Sequence, residues 1–120
     1  MKVAVTSQGP ELTSALDSRF GRAKCFVVVD IETGQTSAVD NTVNLNAAQG
    51  AGIQSGRKVV ELGVQAVITG HVGPKAFSTL QAGGVMIFTG ATGTVADALH
   101  QFKSGQLKQS VGADVEGHWV

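Results

Sequence analysis

Three short stretches of this 120-residue chain carry the side chains best suited to binding or reaction. In Asp17-Ser18-Arg19-Phe20-Gly21-Arg22-Ala23-Lys24, three cations fall within six residues around an aromatic. A guanidinium donates in a fixed fork and is less tightly hydrated than an ammonium. Arg19 and Arg22, with Lys24 beside them, therefore suit a flat or multi-oxygen anion, and Phe20 offers an apolar wall. The other two stretches are Val67-Ile68-Thr69-Gly70-His71-Val72-Gly73-Pro74-Lys75 and Val85-Met86-Ile87-Phe88-Thr89-Gly90-Ala91-Thr92-Gly93-Thr94. Each runs a short apolar segment into Thr-Gly and opens a helix at once. A helix start presents unpaired N–H groups and a partial positive charge, so two such starts at one sheet edge are expected to receive an anion. Gly73 and Pro74 read as N-cap and first helical residue, Lys75 adds a mobile charge, and His71 could donate a hydrogen bond or ligate a metal. Gly90, Thr92 and Gly93 complete the third mouth.

Other chemistries find less support. The third mouth lacks the lysine of a P-loop, and Gly50-Ala51-Gly52 with Gly56 follows a loop rather than a strand, so no nucleotide is expected. A two-metal nuclease needs carboxylates meeting at the strand ends, where this chain places Thr6, Thr69 and Thr89. Cys25 enters an apolar strand and reads as buried filler rather than a reactive thiolate. An enzyme acting on a phosphorylated small molecule would need a general acid or base, for which His71 is the one candidate.

The composition sets outer bounds. Nine basic residues balance nine acidic ones, which removes the usual electrostatic case for nucleic acid or an anionic membrane and makes any positive potential local. A single cysteine excludes an internal disulfide and a multi-cysteine metal cage. No long apolar segment occurs, so neither signal peptide nor membrane span is expected and the location expected is cytoplasmic.

The elements that must position these residues follow from period and punctuation. Val3-Ala4-Val5 reads as a buried strand; Cys25 to Ile31 and Gln35 to Val39 read as a hairpin around Glu32-Thr33-Gly34; Asn41 to Gln49 reads as a loop. Ile53, Val59, Val60 and Leu62 recur at helical spacing before Gly63. Strand 66–69, a helix from Pro74 to Gly83-Gly84 and strand 85–88 follow. The last helix opens on a capping box of Thr94 and Asp97 and stops at Gly105. The order β-β-β-α-β-α-β-α resembles a ribonuclease-H-like α/β fold, a mixed five-stranded sheet with helices on both faces. Such sheets place ligands at the carboxyl ends of their parallel strands. Residues 1–107 are expected to form one domain and 108–120 a tail, within which Trp119 should find a packing partner.

Phe20-Gly21-Arg22-Ala23, Gly70-His71-Val72-Gly73, Gly90-Ala91-Thr92-Gly93-Thr94-Val95 and Ser104-Gly105-Gln106-Leu107 together resemble the dinitrogenase iron-molybdenum cofactor biosynthesis family, which includes NifX-like carriers and the carboxyl-terminal part of NifB. The resemblance implies a non-enzymatic protein that binds or carries a molybdenum-containing metal-sulfide cluster. Many members have a histidine where this chain has Arg19, which favours charge pairing there over ligation. The length and the Val115-Glu116-Gly117-His118-Trp119 ending are most similar to the orange-protein branch. That implies a mixed molybdenum-copper sulfide cluster and, as an alternative role, an interaction module for MinD- and ParA-type P-loop ATPases. The contacts expected with the cluster come from Arg19, Phe20, Gly21, Arg22, Lys24, Gly70, His71, Gly73, Lys75, Gly90, Thr92 and Gly93, with His71 as the candidate metal ligand.

Overall fold

The computed structural model describes residues 1–45 and 51–113. Its strands are β1 (Lys2–Ser7), β2 (Cys25–Asp30), β3 (Thr36–Asp40), β4 (Ala66–Ile68), β5 (Met86–Thr89) and β6 (Lys108–Gln109). Its helices are a single turn, α1 (Thr42–Leu45), and the longer α2 (Ala51–Glu61), α3 (Pro74–Ala82) and α4 (Val95–Lys103). All six strands form one mixed sheet in the order β3-β2-β1-β4-β5-β6. β1, β4 and β5 are parallel neighbours, and the other pairings are antiparallel.

The sheet thus has six strands rather than the expected five. Lys108 and Gln109 are too few and too polar to leave a periodic signal, and they join only because Phe88 and Thr89 offer an open edge. The Asn41–Gln49 stretch also differs from expectation, since Thr42–Leu45 close a helical turn. Residues 46–49 of that stretch, and residues 114–120 of the tail with His118 and Trp119, lie outside the described residues.

Apolar side chains leave both faces of the sheet, so two cores form. On one face Ala4, Phe26, Val67 and Ile87 meet Val59 of α2 and Ala76, Phe77 and Leu80 of α3. On the other, Val3, Val5, Val27 and Ile68 meet Val95, Ala98 and Leu99 of α4. The buried stripe of α2 is built less from Ile53, Val60 and Leu62 than from Ala51, Gly52, Ser55, Gly56 and Val59. Small residues there let the helices approach closely: a Cβ on Gly56 would meet the Thr79 side chain at 3.0 Å.

The parallel crossovers carry β1, β4 and β5 in one direction, so their carboxyl ends open side by side. Segments 8–24, 69–73 and 90–94 converge there. No helix among the described residues is long and apolar enough to cross a membrane.

Candidate functional site

The two Thr-Gly junctions look alike in sequence and end differently in space. At α4 the first turn is closed. Val95 N–H donates to Ser14 O and Ala96 N–H to Leu12 O, both at 2.9 Å. Asp97 N–H donates to Thr94 Oγ1 at 3.1 Å, with Asp97 Oδ2 accepting from Thr94 N–H at 3.0 Å, which completes the expected capping box. The preceding mouth is also spent: Gly90 N–H goes to Gly70 O, Ala91 N–H to Thr69 O and Thr92 N–H to Gln101 Oε1. The Gly90, Ala91 and Thr92 amides of this third mouth, expected to receive an anion, are instead consumed by the fold.

The start of α3 stays open. Gly73 is its N-cap and Pro74, its first residue, has no N–H to satisfy. Among the described residues, the amides of Lys75 and Ala76 have no hydrogen-bond acceptor. This leaves donors and the positive end of the helix dipole facing the sheet edge.

Against that opening the first loop and the His71 segment run as a short parallel bridge between Arg19 and His71. His71 N–H donates to Ser18 O at 2.7 Å and Phe20 N–H to His71 O at 3.2 Å. Bridge partners share a face of their ladder, so the Arg19 and His71 side chains leave the backbone on the same face, and both residues are exposed. Gly70 makes this contact possible: a Cβ there would lie 2.7 Å from Ser18 O.

The other expected contacts divide by burial. Lys24, Lys75, Gly90, Thr92 and Gly93 are exposed and Arg22 is half-buried. Phe20 is 0% exposed and packs on Phe26 with ring centroids 5.8 Å apart. The expected apolar wall is therefore a core side chain: the turn Phe20–Arg22 folds inward, and Ser55 Oγ of α2 donates to Gly21 O at 3.5 Å. Gly21, Gly70 and Gly73 are buried as well.

Three polar residues whose roles carry no local signal stand behind this edge. In the sequence Thr6 and Thr69 stand only where a nuclease would need acids; in the fold both are fully buried, their hydroxyl oxygens 2.9 Å apart. Asp17, read only as part of a charged loop, accepts Arg19 N–H at Oδ1 over 3.2 Å. Alternation of apolar and polar types in 1–7 signals neither role.

Burial raises the Asp17 carboxyl above its ordinary value of 3.8, and the Arg19 N–H bond and the charges of Arg19 and Lys24 offset only part of that. A raised carboxyl binds its proton more tightly in the folded state. Its contribution to stability therefore falls as pH rises from 3.8 through the raised value. Asp17→Asn is expected to remove that slope, visible as a flatter pH dependence of the urea midpoint in this acid range. Cys25 is buried as expected, with Sγ–H donating to Gly9 O at 3.0 Å. Burial pushes its thiol up, so it is a poor thiolate.

Among the described residues, no three of His, Cys, Asp and Glu converge to hold a metal ion. The donor set is cationic side chains, one exposed imidazole and helix-start amides. It fits an anion that brings its own ligands and does not fit a bare divalent cation.

A family model described as dinitrogenase iron-molybdenum cofactor matches residues 1–105. The chain is 30% identical over 112 residues to an uncharacterized protein of Methanocaldococcus jannaschii, covering 91% of each. In three dimensions it is similar to the apo form of the orange protein from Desulfovibrio gigas. The TM-score is 0.92 at 40% identity, covering 95% of this chain and 96% of that one. It is also similar to a Thermotoga protein of the NifB type, with a TM-score of 0.83 at 36% identity over 97% and 98% of the two chains.

Proposed function

Because the chain belongs to the dinitrogenase iron-molybdenum cofactor family, we propose that it binds or carries an anionic metal-sulfide cluster as cargo, without turning it over. The carrying observation is the pairing of Arg19 with His71 beside the open start of α3. A thiometallate anion is bulky and polarisable, with its metal already saturated by sulfide. It asks the protein for charge and N–H donors rather than for a cage of thiolates. Arg19 supplies the fork, Lys75 and Lys24 the surrounding field, and the Lys75 amide at the helix start a directed donor. His71 adds an N–H or a nitrogen ligand to an exposed metal of the cluster. The likeness to the orange protein supports a molybdenum-copper sulfide as the cargo.

Purified protein given tetrathiomolybdate and copper without oxygen is expected to develop charge-transfer absorbance and to elute with both metals. Arg19→Ala and His71→Ala should each weaken binding about tenfold, the worth of one charge-assisted hydrogen bond. Added salt should lower the affinity further, because these charges are exposed. Elution of the protein free of both metals would overturn the proposal.

A further inference from the structure

We infer that Thr6 is a positioning residue for the site, acting through Asp17 on the Arg19–His71 pair. The inference rests on the binding role proposed above, and its origin is the buried hydroxyl pair behind the sheet edge. Thr6 Oγ1 lies 2.7 Å from Asp17 O and 2.9 Å from Thr69 Oγ1. A hydroxyl has one proton to give. The shorter contact, to a carbonyl that can only accept, takes the Thr6 proton, and the Thr69 hydroxyl must then donate to Thr6. The direction Thr69 to Thr6 to Asp17 follows from the shortest contact, the other carbonyl in reach of Thr6 Oγ1, Ile68 O, lying farther off at 3.5 Å.

Thr6 also holds Asp17 from the other side, since Asp17 N–H donates to Thr6 O at 3.0 Å. Both backbone groups of Asp17 are thus bound by one buried residue at the end of β1. From Asp17 the constraint passes outward by two routes. Its carboxylate takes Arg19 N–H at 3.2 Å, and the next residue, Ser18, takes His71 N–H at 2.7 Å. Thr69 is anchored in turn, with its N–H on Phe88 O and its carbonyl accepting from Ala91 N–H. The hydroxyl pair ties the ends of β1, β4 and β5 to the loop that carries the exposed guanidinium. Buried, fully paired polar groups of this kind rigidify what they hold.

The test compares Thr6→Val, which keeps the shape and removes the hydroxyl, with Thr6→Ser, which keeps the hydroxyl. Thr6→Val is expected to weaken tetrathiomolybdate binding about tenfold, and Thr6→Ser to restore most of it. In an Arg19→Ala background Thr6→Val should add a smaller loss than in the unaltered protein, that of the His71 route alone. Full affinity in folded Thr6→Val overturns the inference, as does an equal loss in Thr6→Ser or an undiminished loss in the Arg19→Ala background. Should Thr6→Val not fold, amide exchange in the unaltered protein decides. The Asp17, Phe20 and His71 amides are expected to open together, and rapid exchange at Phe20 and His71 with Asp17 protected overturns the inference. That measurement needs no ligand, so it stands apart from the cluster-binding experiment, whose failure would remove the proposed cargo alone.

Discussion

Phe20→Ala lowers the free energy of unfolding by about 3–5 kcal/mol, the cost of removing a fully buried aromatic from a packed core. Phe20 sits at the meeting of Phe26, the turn Phe20–Arg22 and the face shared by α2 and α3. Its loss leaves a void that backbone on three sides cannot close, whereas Phe20→Leu should cost far less. Urea denaturation followed by far-ultraviolet circular dichroism measures both. The result separates two roles for the same residue. A wall of the site would lose affinity on truncation with stability unchanged; a core side chain loses stability, and its folded fraction keeps the binding proposed for Arg19 and His71.

The second large effect belongs to Gly70→Ala. The added Cβ would fall 2.7 Å from Ser18 O and 2.9 Å from Ser18 Cα, both backbone atoms with no rotamer to escape through. Gly70 has no positive φ, so the demand is for space and not for an unusual conformation. Relief requires the first loop to lift away, which breaks the His71 N–H to Ser18 O bond and the Arg19–His71 bridge together. A stability loss of about 3 kcal/mol is expected from the overpacking and the broken bond. Tetrathiomolybdate binding should fall by more than the loss from Arg19→Ala alone. A crystal structure of the variant with the loop in place would contradict this account.

Much of the fold was legible in local signals. The hairpin around Gly34, the stop at Gly63, the Gly73-Pro74 helix start and the Thr94–Asp97 box are each decided by neighbours in sequence, and each formed where those neighbours place it. What escaped depended on partners far along the chain. Nothing within Gly90–Thr94 says that Leu12 and Ser14 will cap the next helix, so the two Thr-Gly junctions could not be told apart. Phe20 sits between cations, and only the inward fold of its turn reveals it as core. β6 has no pattern of its own and borrows its conformation from β5. The cations and His71 were visible as residue types, while their pairing required the Gly70–Ser18 approach, a matter of tertiary space.

The closure of α4 by the first loop also sets an order of assembly. The acceptors Leu12 and Ser14 are synthesised well before their donors Val95 and Ala96. Until those late residues are made, the early loop lacks the seat that holds it over the sheet edge, and the loop-closure cost of joining them falls on the last stage of folding. A nascent chain therefore carries its cations in an unseated loop until α4 has been made.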